Sequence, residues 1–168
     1  MNNKFVKMNR QTAKIVNAYI LGFIFDLSSV MPILISIREK SHNKSIEIEI
    51  ENVTERLIQF MNVNEKTVFK IEDFIDINEH KATFKDLEKD CIDFSETELK
   101  QIIDDCLEIP SEVEKGIKKI IEKIKDLKEM ENQLNSLKNY LSTSVASSKV
   151  LSLIISEYLT IKVNRKEY

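Results

Sequence analysis

Two glycines, Gly22 and Gly116, and two prolines, Pro32 and Pro110, are the only strong chain breakers among 168 residues. A sheet protein of this length needs many such residues for its turns, so their scarcity argues against a hairpin-rich fold and favours helices. Cysteine is as sparse. Cys91 and Cys106 stand fifteen residues apart with no CxxC spacing, which removes support for a disulfide framework or a zinc site. Both fall beside apolar helical positions and read as reduced small hydrophobes, a pattern that fits a cytoplasmic setting. His42 and His80 are the only histidines, each in a polar connecting stretch. Four arginines and a pI near 5.6 disfavour nucleic-acid binding.

Catalytic motifs are missing as well. No GxSxG, GxxxxGK, GxGxxG or HExxH occurs, and two glycines leave no loop able to cradle phosphates. "DFSETELKQIID", from Asp93, sets oxygen-bearing residues at some calcium-loop positions, but its sixth position is Glu98, where that loop needs glycine. Arg38 and His42 in "REKSH" evoke an RNA-cleaving pair, yet a solvated link between helices is the simpler reading. Asp104, Asp105 and Glu108 could join a carboxylate metal site only if a facing helix supplied more ligands, and no ExxH element anchors one. The expectation is therefore non-enzymatic, with no catalytic residue, cofactor or metal assigned.

What the chain does have is a core. With 42% hydrophobic residues it is the size of one domain and can bury roughly 70% of its unfolded surface, so 1–168 is read as a single helical domain. Its charge of -3 is unevenly spread. Residues 1–44 carry seven bases and two acids, residues 45–64 four acids and one base, residues 65–112 fifteen acids and six bases, and residues 113–168 seven acids and eleven bases. Either the basic ends neutralise the acidic middle within the fold, or an acidic face is kept for a basic partner.

The most apolar window, residues 15–37, holds sixteen apolar residues in twenty-three and follows Lys4, Lys7, Arg10 and Lys14. It resembles a signal peptide or a membrane span. Against both stand Asp26 near its middle, costing about 2.5–3.5 kcal/mol at a bilayer centre, and the absence of a small-x-small cleavage site after it. Gln11, Ala18, Gly22, Ser29 and Ser36 form a narrow stripe of small or polar residues, as expected of a central bundle helix approached closely by a neighbour. Ser28 or Ser29 can cap a new helix with Pro32 in its first turn, and Asp26 would stand near that start.

In "SIEIEIENV", Ser45–Val53, three isoleucines alternate with three glutamates. Extended to Met61, the window places Ile46, Ile50, Val53, Leu57, Ile58, Phe60 and Met61 within about 160° of a helical wheel, with only Ile48 misplaced. A helix is expected, in which Ile48 should be exposed or touch a partner. The alternative is a minor two-stranded β element pairing 45–51 with 159–166. Further helices are expected at "EKTVFKIEDFIDI", at "TFKDLEKDCI", and at "SETELKQIIDDCLEI", where Ser95 and Glu98 have capping-box spacing. Pro110 should end the last of these. Ser111 would then open a heptad-like helix of about thirty residues, 111–141, with the ladder Val113, Ile117, Ile120, Ile124, Leu127, Met130, Leu134, Leu137 and Leu141 and one slip near Leu127–Met130. "STSVASS" marks a bend or a weak spot in an even longer helix, and "KVLSLIISEYLTIKV" a second apolar helix.

The sequence thus predicts an all-α multi-helix bundle with an apolar N-terminal helix and one long heptad-like helix. The expected function is a cytoplasmic protein-binding module, an inhibitor, antitoxin-like or assembly factor. It would bind a basic protein through Glu72, Asp76, Asp104, Asp105, Glu108 and Ile48, or self-associate as a coiled coil through residues 111–141. The alternative is a membrane-active or secreted protein that inserts its apolar terminal helices into a bilayer.

Overall fold

The computed structural model describes residues 5–79 and 91–164, and it is a predominantly helical bundle with one small antiparallel sheet. Strand β1 (Phe5–Asn9) leads into α1 (Arg10–Ser28) and α2 (Met31–Lys40), which together make one bent rod. The second rod is α3 (Lys44–Glu79). Strand β2 (Cys91–Ser95) leads into the third, α4 (Glu96–Ile124). A single 3-10 turn, Lys128–Met130, then opens the fourth, made of α5 (Glu131–Tyr140), a π-turn at Leu141–Val145 and α6 (Ala146–Asn164). Around the bundle α1 neighbours α3, α3 neighbours α4, α4 neighbours α6, and α6 returns to α1.

Cross-rod contacts show that all four neighbours run antiparallel. Arg10 donates to the Ile75 carbonyl at 2.8 Å while Phe23 meets Phe60 edge-on at 4.7 Å. Lys70 pairs with Glu98 at one end of α3 and Lys123 with Glu49 at the other. Lys149 of α6 reaches Glu114 of α4. The interior is a continuous apolar column that includes Ile20, Phe23, Leu27, Ile46, Leu57, Phe60, Ile71, Leu99, Ile117 and Ile120.

Local chemistry explains the ends. Asn9 caps α1, its side chain accepting from the Thr12 amide at 2.9 Å. Ser95 and Glu98 form the reciprocal capping box that their spacing predicts, at 3.1 and 2.7 Å. The expected break comes at Ser29–Val30, and Pro32 lies in the first turn of α2. The expected serine cap does not form. Ser28 and Ser29 instead donate back to the carbonyls of Phe25 and Asp26, closing the turn before the break. In "STSVASS" the longer-helix reading holds: the hydroxyls of Ser142 and Thr143 both donate to the Asn139 carbonyl, where the helix widens into a π-turn.

Four expectations are corrected. Ser45–Glu51 is helical within α3, and residues 159–164 are helical within α6, with 165 and 166 outside the described residues. The sheet pairs β1 with β2 instead, Val6 opposite Phe94 and Met8 opposite Ile92. These alternating side chains point into the core, while Lys70 covers the Phe94 ring at 4.3 Å. Second, α3 is one helix of 36 residues, with no link between "TERLIQFM" and "EKTVFKIEDF". Asn64 lies fully buried at that junction and donates to the Phe60 carbonyl, so it is accommodated within the helix. The "TFKDLEKDCI" segment falls largely outside the described residues, and its Cys91 and Ile92 are in β2.

Third, α4 runs through Pro110. A proline inside a helix costs about 3 kcal/mol, but Cys106, Ile109, Pro110 and Val113 are all buried there, and that burial outweighs the loss of one backbone bond. Fourth, residues 111–141 are not one helix. The chain turns at Lys125–Asp126 and Leu127 is extended (φ -92, ψ 103), at the slip in the apolar ladder. Two consecutive three-residue steps rotate the apolar face away from the axis it had followed. Reversing the chain keeps Ile124 and Met130 both buried.

Candidate functional site

Two surfaces are unusual enough to ask what they do. The first lies along α1 and α6, which pack side by side. Tyr158 donates to the Thr12 hydroxyl at 3.3 Å, Leu151 lies 3.6 Å from a Cβ built on Gly22, Ser29 donates to Ser144 at 3.2 Å, and Tyr140 donates to the Leu27 carbonyl at 2.9 Å. Part of the small-residue stripe, Gly22 and Ser29, thus receives the last rod, as expected. The inner faces of both helices fill the core with Val16, Ile20, Phe23, Ile155 and Leu159. The outer faces do not close over. On α1, Leu21 and Phe25 are 43% and 74% exposed; on α6, Val150 and Leu153 are 58% and 62% exposed, joined by Ile154 and Ile161. Ala18 and Phe25 flank Gly22, and Ile154 follows Leu151 by one turn, so the two outer stripes meet along the Gly22–Leu151 seam. Large contiguous apolar patches on soluble proteins mark interaction sites.

The second surface is the α3–α4 seam. Gly116 lets α4 approach Val53 of α3, and beside this crossing lies an open groove of about 440 Å³ bordered by Asn52, Arg56, Glu112 and Lys119. Arg56 pairs with Glu112, while Lys119 and Lys123 meet Glu49 at 3.7 and 3.1 Å. Arg38 lies 3.6 Å from Glu51. Across the seam, then, Glu49 of the acidic stretch meets two bases of the basic last stretch, and Arg56 meets an acid of the middle. Where Lys118 and Lys149 both hydrogen-bond to Glu114, they hold its carboxyl down at about 2.

The expected partner residues do not form one site. Asp104, Asp105 and Glu108 share one turn of α4, with Asp104 and Glu108 exposed. Asp105 accepts from Gln101 at 2.9 Å, and partial burial raises its pKa against that bond. Glu72 instead turns toward α1, where Asn17 donates to it at 3.5 Å. Asp76 is exposed near the sheet end of α3, and Ile48 is 47% exposed near the opposite end, as the helical reading of its segment requires. Cys106 is fully buried, and desolvation pushes its thiol up to about 12, far from any reactive range. Among the described residues, no group of three or more His, Cys, Asp or Glu is placed to hold a metal ion.

Sequence reasoning treated the two apolar helices as the centre of the bundle and so missed the α1–α6 face. The available signal was that both segments are apolar on nearly every side, more than one core can cover. Arg10–Lys40 and Lys128–Ile161 are long and apolar enough to cross a membrane, with mean hydropathies of 2.1 and 1.2, yet each has only 33% of its most apolar window buried. No family model, curated protein or solved structure matches the chain.

Proposed function

We propose that the chain is a non-enzymatic binding module of the inhibitor, antitoxin-like or assembly-factor kind, which works by seating the outer face of α1 and α6 on another surface. One observation carries this reading: Phe25 and Leu153, the two most exposed large hydrophobics among the described residues, lie on two adjoining helices, with Val150, Leu21, Ile154 and Ile161 exposed beside them. The acids Asp104, Asp105 and Glu108 form a secondary contact for a basic protein, at the far side of α4 from that face. Self-association through 111–141 would have to use the outside of the rods, because Val113, Ile117, Ile120, Ile124, Met130 and Leu137 are buried in the chain's own core.

The test is the double variant Phe25→Glu and Leu153→Glu in the full chain. Both positions are exposed, so folding should survive. Sedimentation and affinity capture from cells that make the protein are expected to show lost self-association or lost partners relative to the unmodified chain. Unchanged mass and unchanged capture would refute the reading.

A second reading, insertion of the two helices into a bilayer, is favoured by their hydropathies of 2.1 and 1.2. Insertion would pull Val16, Ile20, Phe23, Leu27, Ile155 and Leu159 out of the core. At about 1.5–3 kcal/mol for each buried side chain, opening the bundle in this way costs more than seating the outer face alone.

A further inference from the structure

We propose that the bundle carries a hinge across its middle. In it α3 is the spine, and the end built from α2, the start of α3, the last turns of α4 and α5 tilts as one body against the rest. Cross-rod pairs define a single slice. Ser29 meets Ser144 at 3.2 Å, Glu114 meets Lys149, Glu112 meets Arg56, and Gly116 lies against Val53, so these residues of all four rods stand at about one level. Three rods are interrupted there. The first breaks at Ser29–Val30 with Pro32 in the turn that follows, the fourth widens into the π-turn Leu141–Val145, and the third carries Pro110 and Gly116. Three of the chain's four glycines and prolines thus fall close to this slice. Only α3 crosses it as an unbroken helix, with no glycine or proline in its 36 residues.

Such interruptions are where helices bend, because each takes a bond out of the backbone ladder that stiffens a rod. Hydroxyls stand ready beside them. Ser28 and Ser29 donate to the carbonyls of Phe25 and Asp26, and Ser142 and Thr143 to that of Asn139, so carbonyls near the slice keep a partner without the regular ladder. The π-turn is in the place that needs most slack. The α5 helix touches α2 and α4 and so lies diagonally across from α3, where tilting about the spine changes rod length most. Each side of the slice is tied within itself. In the tilting end Gln133 donates to Ser36 at 3.0 Å, Arg38 lies 3.6 Å from Glu51, and Lys123 donates to Ser45 at 2.8 Å. In the other body Tyr158 reaches Thr12, Arg10 reaches the Ile75 carbonyl, and Lys70 pairs with Glu98. Tyr140 bridges the two, donating to the Leu27 carbonyl at 2.9 Å, and acts as a latch. Two bodies joined through a few element-terminal positions are the architecture of hinge closure. Because α4 moves against α3 beside Gly116, the tilt sets the width of the groove bordered by Asn52 and Lys119.

Spin labels measured by double electron–electron resonance test this in the full chain with Cys91→Ser, Cys106 being buried. One label pair spans the slice, Asn135→Cys on α5 with Glu65→Cys on α3; the control pair, Glu65→Cys with Glu157→Cys, lies within one body. Neighbouring axes 8–10 Å apart put α5 about 13 Å from the spine, so a tilt of about 15° shifts the spanning distance by about 3 Å. The spanning pair is expected to show that extra spread and the control pair none. Tyr140→Phe should widen the spanning distribution and leave the control unchanged. Deleting Thr143, which takes the extra residue out of the π-turn, should narrow it to the control. A spanning pair as narrow as the control, no widening in Tyr140→Phe, or an unchanged spread in a folded Thr143 deletion would each overturn the hinge. If circular dichroism shows the deletion to be unfolded, the unmodified chain and Tyr140→Phe decide the matter.

Discussion

Gly116 offers the sharpest test of the bundle's packing. It lies on α4 at the crossing with α3, and a Cβ built there falls within 3.0 Å of a Val53 methyl, inside van der Waals contact. Val53 is 4% exposed, and a β-branched side chain on a helix has one strongly preferred χ1, so that methyl has little room to move. On an open helix, glycine to alanine gains about 1 kcal/mol of propensity. Here the overpacking costs about 1–3 kcal/mol, so Gly116→Ala should lose about 1 kcal/mol net, some 2–4 °C in Tm for a chain of this size. The sign reverses once Val53 is shortened. In Val53→Ala the nearest remaining atom is the Cβ at 3.7 Å, an ordinary contact, so adding Gly116→Ala should recover about 0.5–1 kcal/mol of the roughly 2 kcal/mol that Val53→Ala costs. Urea unfolding of the four chains, followed by circular dichroism, closes the double-mutant cycle. A Gly116→Ala chain more stable than its parent in the unmodified background would refute the close crossing of α3 and α4.

Four further measurements address the ends and the seams. Ser95→Ala removes the cap of α4 and should cost about 1 kcal/mol in denaturant unfolding. Tyr140→Phe strands the Leu27 carbonyl in the core and should cost about 1–2 kcal/mol. Burial, with Asp26 nearby, also holds that phenol above the ordinary tyrosine range, so in an absorbance titration Tyr140 should ionise later than an exposed tyrosine. Glu114 has a folded pKa near 2 against an ordinary 4.5, so its contribution is complete above about pH 4.5 and vanishes as pH falls through 2. Screening at this partly exposed site reduces that contribution to about 1 kcal/mol. Acid unfolding of Glu114→Gln should therefore lose less stability than the parent between pH 4.5 and 2.

Much of the local structure was legible because the forces that set it act over three or four residues. The capping box at Ser95 and Glu98 needed only its spacing. Residues 45–61 were readable as helix because Ile46, Ile50, Val53, Leu57 and Phe60 share a face, and Ile48 was identifiable as the misfit. Ile58 and Met61 also belonged to the apolar arc yet are 47% and 39% exposed, since the wheel does not say how wide a neighbour will be. The chain reversal after Ile124 had left its mark as a slip in the ladder. Whether a slip means a supercoil defect or a turn depends on what waits on the other side, here the core between α4 and α6.

The sequence alone determined that the chain would be a helical bundle: too few breakers for sheets, apolar periodicities near 3.6, and enough hydrophobic mass for one core. Tertiary structure decided the rest. Residues 5–9 and 91–95 became strands because their short alternations meet across the fold, and five residues cannot announce a partner more than eighty positions away. Proline was carried inside α4 because burial on both sides outweighed one backbone bond. The outward face of α1 and α6 emerged for a related reason: an apolar segment records that it leaves water, and only the packing of the other rods shows which of its sides they cover.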